Sequence, residues 1–364
     1  METEYRDYAK KEAERIKNEI KGGNFDTVFA FIPDLHYKCI TEMRVTVGNI
    51  ISVINDVNKE QKVDFAVLGG DNVGNYPPSP EEHIDMMREL NEYFSALDMP
   101  WLVCQGNHDD NSIHGHKENM PPFKSASGFE VPDSVQYDVL FSHQRSYANF
   151  ISPDAEKALY GAYDMPQKRM RVIVLNGDEV PHMIEKNGWL KYSQQWDYGY
   201  SGEQLRWLGE KALNVDGETD IVLIEHIPFP GGLENDGAAT NGDVLTEIIK
   251  SAMSGGSYKS HCSDGDFPYD VDVDFSSRKI NVIARICGHI HTDAHLLRGG
   301  ILDISSAAAG RNNSGVARDE NGRELIKTPY SAKETCFDFY CINKEKRVIK
   351  TVRYGIGDGR TFNY

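Results

Sequence analysis

Six short apolar runs punctuate the chain, at 27–32, 63–68, 101–104, 171–175, 221–224 and 281–286. Each is rich in Val, Ile, Leu or Phe and short enough for a strand buried on both faces. Helical spacing fills the intervals. Met43, Val47, Ile50, Ile51, Ile54 and Val57 repeat along one helix face, and Pro80-Glu81-Glu82 opens a second helix running to about Leu97. Ser201-Gly202-Glu203-Gln204 has capping-box spacing and opens a third. Tyr5, Tyr8, Ala9, Ile16 and Ile20 share a face of an N-terminal helix over residues 3–21, stopped by Gly22-Gly23. Strands alternating with helices predict a parallel or mixed sheet covered on both faces.

Three stretches lack periodicity: 111–168, rich in Pro, Ser, Gly and His, then 228–242 and 254–277. They read as excursions between strands, the usual carriers of specificity. Runs at 335–342 and 347–353 read as antiparallel strands joined around Asn343-Lys344. With no internal repeat and no low-complexity linker, one domain over residues 1–364 is expected, with a strand tail over 333–364.

Composition adds exclusions. The net charge of −17 disfavours a duplex-tracking nucleic-acid binder, because an acidic surface repels phosphate backbones. No apolar stretch approaches the roughly 18 residues of a membrane span, and the charged N-terminus is expected not to be a secretory signal. Nothing marks an obligate protein partner. Of six cysteines, Cys104, Cys287, Cys336 and Cys341 sit in strand-like runs, and none of the six forms a C-x-x-C pair. Reduced thiols and a cytoplasmic protein are expected.

The chemistry lies in five short clusters, each just after a predicted strand, where ligands of α/β sheets collect. They are Asp34-Leu35-His36, Gly69-Gly70-Asp71-Asn72, Gly106-Asn107-His108-Asp109, His226, and Gly288-His289-Ile290-His291. Oxygen and imidazole donors without cysteine suit borderline divalent metals rather than structural zinc. In an extended segment residues i and i+2 point the same way, so Asp34 and His36, or His289 and His291, are expected to reach one site together.

The order D-x-H, G-D-N, G-N-H-D, H, G-H-x-H resembles the calcineurin-like metallophosphoesterase superfamily, and the tail resembles that of bacterial and phage-borne members. The resemblance implies an α/β fold of four layers, α/β/β/α, with two mixed β-sheets. It implies two divalent or mixed-valence transition-metal ions, Mn, Fe or Zn. Asp34, His36 and His291 would hold one, Asn107, His226 and His289 the other, and Asp71 would bridge. A bridging hydroxide would attack a phosphate mono- or diester, and His108, oriented by Asp109, would protonate the leaving group or bind phosphate. Where many members carry a second acidic residue after the bridging Asp, this chain reads Asn72-Val73-Gly74. Two divalent cations outweigh two ligand carboxylates, so the site attracts a small phosphate ester even on an acidic protein.

Other residues read more plainly. His114 and His116 are taken as loop histidines, Cys287 as a buried strand residue, and the four tryptophans as packing. Arg145, Tyr147 and Tyr163 are secondary candidates for contact with the ester. A metal-dependent nuclease would need a basic groove, and no Lys/Arg cluster flanks the motifs. A protein Ser/Thr phosphatase would need arginines placed for a phosphopeptide, and no such pair is evident. A non-catalytic scaffold would be expected to lack ligands, and none is missing.

Overall fold

The computed structural model describes residues 5–74, 79–113, 125–233, 239–310 and 316–364. His114 and His116 lie outside them. Two mixed sheets form the centre of the fold. The first contains β1 (Thr27–Ile32), β2 (Phe65–Gly69) and β3 (Trp101–Cys104), joined by the tail strands β13 (Cys336–Asn343), β14 (Val348–Gly355) and β15 (Thr361–Asn363) in the order β15-β14-β13-β1-β2-β3. The second contains β4 (Phe150–Ile151), β5 (Gly161–Met165), β6 (Met170–Val174), β7 (Asp220–Ile224), β10 (Asn281–Cys287), β11 (Ala294–Arg298) and β12 (Ile301–Ser305), ordered β11-β12-β10-β7-β6-β5-β4. Strands β1, β2 and β3 run parallel, as do β6, β7, β10 and β12, so the carboxyl ends within each set share one edge.

The inner faces pack on each other through Phe29, Phe31, Phe65, Val67 and Tyr340 from one sheet and Val172, Val222, Ile224, Ile286 and Ile304 from the other. Phe29 stacks between Phe65 at 4.7 Å and Tyr340 at 5.2 Å. Burying one such side chain stabilises by about 1.5–3 kcal/mol, which is why these strands read as unbroken apolar runs. Helices α1 (Asp7–Lys21), α2 (Thr41–Glu60) and α3 (Pro80–Phe94) cover the outer face of the first sheet through Ala9, Ile16, Val47, Ile54 and Leu90. A short α4 (Asp133–Gln136) opens the turns that follow it. On the outer face of the second sheet lie α5 (Gly202–Trp207) and α6 (Gly242–Ser254). The four-layer α/β/β/α arrangement is therefore present.

Several expectations are corrected. The stretch 254–277 is not irregular: β8 (Ser257–Cys262) and β9 (Tyr269–Asp274) form a hairpin. Its polar alternation, with only Val271 and Val273 of β9 buried, hides it from a search for apolar runs. The excursion 111–168 includes α4, β4 and β5. The capping box is half made. Ser201 Oγ accepts from Gln204 N at 3.1 Å, but the Gln204 side chain turns to Asn176 and Glu179, and the Glu179 carboxylate takes Ser201 N–H instead.

Burial pushes Glu179 up to about 7 despite the hydrogen bonds from Ser201 and Gln204. Its folded value lies above that of the unfolded chain, so stability present at low pH is lost as pH rises toward 7. Glu179→Gln, which mimics the neutral acid, is expected to match the parent at pH 5 and to unfold at higher temperature at pH 8. A thermal melt with no gain at pH 8 contradicts this.

Candidate metal centre

The residues after β1, β2, β3, β7 and β10 converge at the shared edge of the two sheets. Asp34, His36, Asp71, Asn107 and His226 are buried there, and His289 and His291 are partly buried. The ligand atoms of Asp34, His36, Asp71 and His291 all lie within 4.8 Å of one another. Within this group His36 Nε2 is 3.2 Å from His291 Nε2 and 3.6 Å from Asp71 Oδ2, and His291 Nε2 is 3.3 Å from Asp34 Oδ1. A second group forms around Asn107 Oδ1, which is 3.1 Å from His226 Nε2 and 3.0 Å from His289 Nδ1. His226 Nε2 is also 3.3 Å from Asp71 Oδ1. The two Asp71 oxygens thus face different groups.

These separations suit bound metal. Bonds of about 2.0–2.2 Å meeting at tetrahedral or octahedral angles set neighbouring ligand atoms about 3–3.5 Å apart. The tautomer of His226 makes the same point. Its Nδ1–H donates to the Gly69 carbonyl at 3.0 Å, which turns the lone pair of Nε2 toward Asn107 Oδ1 and Asp71. Lone pairs directed at one spot repel unless a cation lies between them. The electrostatics agree. Burial alone would push His226 down, but the Asp71 and Asp34 carboxylates outweigh it and raise it well above the usual imidazole range. Burial also works against Asp71 ionising, yet His108 and His226 hold it well below the usual carboxylate range. The spot calls for positive charge.

The loops that build this edge are strained. Asp34, His36, Asp71, His289 and His291 all have positive φ, between 45° and 66°. The expected extended i, i+2 geometry is therefore replaced by left-handed residues at the same two positions of each motif. Such residues cost on the order of 1–3 kcal/mol each and persist only where their surroundings fix them. Asp34 N donates to Gly70 O, His36 N to Asp71 O, and His289 N to the Asp34 carboxylate at 3.0 Å. Gly106 allows the closest approach, since a Cβ there would lie 1.9 Å from Asp71 N. Gly70 adopts φ +86°, and a Cβ would strike the His226 ring.

His108 stands beside the centre, its Nε2 3.6 Å from Asp71 Oδ2 and its ring edge-on to His36. Asp109 does not act as expected. Its carboxylate accepts from Asn72 N at 2.8 Å, Asn72 Nδ2 at 2.8 Å, Val73 N at 3.1 Å and Gly106 N at 2.9 Å. Four N–H donors fill its two oxygens, so Asp109 clamps the β2 and β3 loops together rather than orienting His108. Burial and the nearby Asp71 push it up to about 8, yet a proton on Asp109 would find only donors around it. The geometry therefore holds the ionised form. Asn72 supplies two of those donors, its backbone N–H and its side-chain amide, and the amide also donates to the Cys104 carbonyl.

The secondary candidates do not join the site. Tyr147 accepts from the backbone N–H of Trp101, at the far end of β3, and Tyr163 packs against Tyr147 and Phe65 there. Arg145 is exposed and donates to Ala155 O. Trp101 and Trp207 are packing residues, but Trp196 is 37% exposed. Two residues escaped the sequence reading. Tyr198 sets its ring edge-on to His289 at 5.7 Å. Asp178 is fully buried with neither oxygen hydrogen-bonded, and burial raises it well above the carboxylate range although His226 opposes this. Gly177-Asp178 just after β6 repeats the strand-Gly-Asp pattern of Asp71, a signal that could have found it.

A family model described as calcineurin-like phosphoesterase matches residues 27–293. Among solved structures the chain is similar to a dimetal phosphatase from Danio rerio, with 12% identity, a TM-score of 0.58, and 94% of this chain and 100% of that chain covered. At that identity the likeness speaks to the fold alone. The chain is also similar to the anchor in the inner membrane complex of Plasmodium, at 11% identity and a TM-score of 0.43 over 93% of this chain and 88% of that one, too low to carry an argument. No curated protein matches the chain.

Asp109→Asn replaces one acceptor oxygen with an NH₂ group that faces N–H donors. Leaving such donors unmet costs about 1–3 kcal/mol, so a lower melting temperature and weaker metal retention are expected together. A variant that melts and retains metal like the parent contradicts the clamp.

Proposed function

Since the chain belongs to the calcineurin-like phosphoesterase family and is a metal-dependent hydrolase of phosphoric ester bonds, we propose that it works through two ions held by seven residues. Asp34, His36 and His291 would hold one, Asn107, His226 and His289 the other, and Asp71 would reach both. The observation that carries this is the division of the Asp71 carboxylate, with Oδ2 toward His36 and Oδ1 toward His226. Mn, Fe and Zn fit the imidazole and oxygen donors. When bound, the ion pair supplies an activated water as nucleophile and neutralises charge on the phosphoryl oxygens.

The chain's own residues do the rest. His226 Nε2 and His289 Nδ1 are directed inward at Asn107 Oδ1, Asp109 fixes the loops, and His108 lies within reach of a leaving oxygen. Burial pushes His108 down, opposed by Asp71, so its imidazole is neutral before substrate binds. An incoming phosphate anion favours the protonated form, which then donates to the departing alkoxide. A small phosphate mono- or diester fits a chain whose net charge disfavours nucleic acid. The tail strands complete the sheet that carries Asp34 and Asp71, which supports reading residues 1–364 as one domain. No helix among the described residues is long and apolar enough to cross a membrane. All six cysteines are free, which supports a reducing compartment such as the cytoplasm.

The test is hydrolysis of p-nitrophenyl phosphate, bis-p-nitrophenyl phosphate and cyclic nucleotides with Mn added to chelator-treated protein. Turnover of at least one class should require metal, and Asp71→Asn should lose more metal and activity than Asp34→Asn. Turnover that survives chelation, or an Asp71→Asn variant no worse than Asp34→Asn, contradicts the shared carboxylate.

For His108→Ala, kcat should fall about 10²–10⁴-fold with metal content unchanged. The loss should be smaller on p-nitrophenyl esters, whose leaving groups need less protonation, than on alkyl esters. Equal loss on both ester types would instead make His108 a phosphate-binding group.

A further inference from the structure

The family match ends at Asp293, yet the strands beyond it reach back to the centre. Asp338 on β13 and Arg353 on β14 are directly paired in the sheet register. Arg353 is 2% exposed and forms a fork with Asp338, Nε to Oδ1 at 2.7 Å and Nη2 to Oδ2 at 2.9 Å. The same Nη2 reaches across to Asp293 Oδ1 at 2.7 Å. That oxygen also accepts Ala307 N–H at 2.9 Å, and Arg360 Nη2 lies 3.3 Å away. Arg360 donates further to the Ser305 carbonyl at 2.9 Å and the Ala294 carbonyl at 3.3 Å, at the ends of β12 and β11. Two guanidiniums and two carboxylates thus close a buried group that spans both sheets.

Asp293 is two residues past His291. The turn between them has few other anchors: Arg318 N donates to His291 O, and Asp293 N to Arg318 O. His291 itself has a φ of +55°. A left-handed histidine keeps that conformation only when its flanks are fixed, and a carboxylate gripped from two sides is a fixed flank. Stability alone gives little reason for such a group, because apolar residues often replace a buried ion pair without loss. What the guanidinium adds is direction: its fork to Asp338 fixes the plane of the group, which points Nη2 at Asp293 Oδ1 as no ammonium could be pointed.

We infer that Arg353 is a positioning residue for the metal centre, acting through Asp293 to hold the turn that aims His291 at the site shared with Asp34 and His36. The inference rests on the reading of that centre given above. Arg360 supports the same carboxylate from the third tail strand's approach, so the C-terminal segment is part of the ligand scaffold.

The experiment titrates chelator-treated protein with Mn²⁺ and Co²⁺ against a competing chelator dye, with melting temperature and the visible Co²⁺ spectrum recorded for each variant. Arg353→Lys keeps the charge and loses the fork. Asp293→Ala removes the grip while Arg353 stays paired with Asp338, so it serves where the lysine variant does not fold. Removing an outer partner of a ligand typically weakens binding about 10–100-fold, and that loss is expected at one of the two sites only, with an altered Co²⁺ spectrum. Arg171→Lys breaks a comparable fork with Asp164 on β6 and β5, and should lower the melting temperature without changing either affinity. Wild-type protein that takes up two ions, with folded variants that bind both equally well, overturns the role of Arg353. Wild-type protein that takes up none overturns the reading of the centre itself.

Discussion

Everything at the shared edge of the two sheets follows from one electrostatic constraint. Asp34 and Asp71 are buried side by side, and the lone pairs of Asn107 and His226 are turned toward the same small volume. Buried like charges and facing lone pairs are costly unless a cation meets them. The fold keeps the arrangement by closing off the alternatives: Gly69 O takes the outward nitrogen of His226, and Asp71 Oδ1 is tied to His108 N. Five of the seven ligand candidates hold left-handed backbone conformations, so the loops are bent to serve the site at a local cost.

That cost is met by the surroundings. The Asp109 clamp joins the loops after β2 and β3, His83 donates to the Asp109 carbonyl, and Ala309 and Gly310 bond back to the loop that carries Asp34. The seam between the sheets is apolar through most of its depth and polar only where the strands end, which gives the ligands a rigid base and the centre a low dielectric. A net charge of −17 coexists with a site built for phosphate because the local balance, and not the global one, sets the field at short range.

Much of this was legible in the sequence, for identifiable reasons. Strands β1, β3, β7 and β10 are buried on both faces, so their composition alone marks them. The ligand motifs stand out because each follows a short buried strand, and those at Asp71, Asn107 and His289 sit beside glycine. Strands β8, β9 and β11 were not legible, since they are polar or exposed on most positions and resemble loops. Residue spacing suggested extended D-x-H and H-x-H segments, but the backbone is left-handed there, a state that propensity does not announce. Asp109 looked like a partner for the adjacent histidine, and only the positions of Asn72, Val73 and Gly106 show that its four donors lie elsewhere. Arg353 and Asp293 are 60 residues apart, and no local pattern links them.

The most direct test of a centre with two ions sharing Asp71 is anomalous diffraction from crystals grown with Mn²⁺ or Zn²⁺, collected on both sides of the metal edge. Two peaks are predicted about 3.5–4 Å apart, one among Asp34, His36 and His291, the other among Asn107, His226 and His289, with an Asp71 oxygen within bonding distance of each. A single peak, or two peaks with Asp71 bound to only one, would contradict the account.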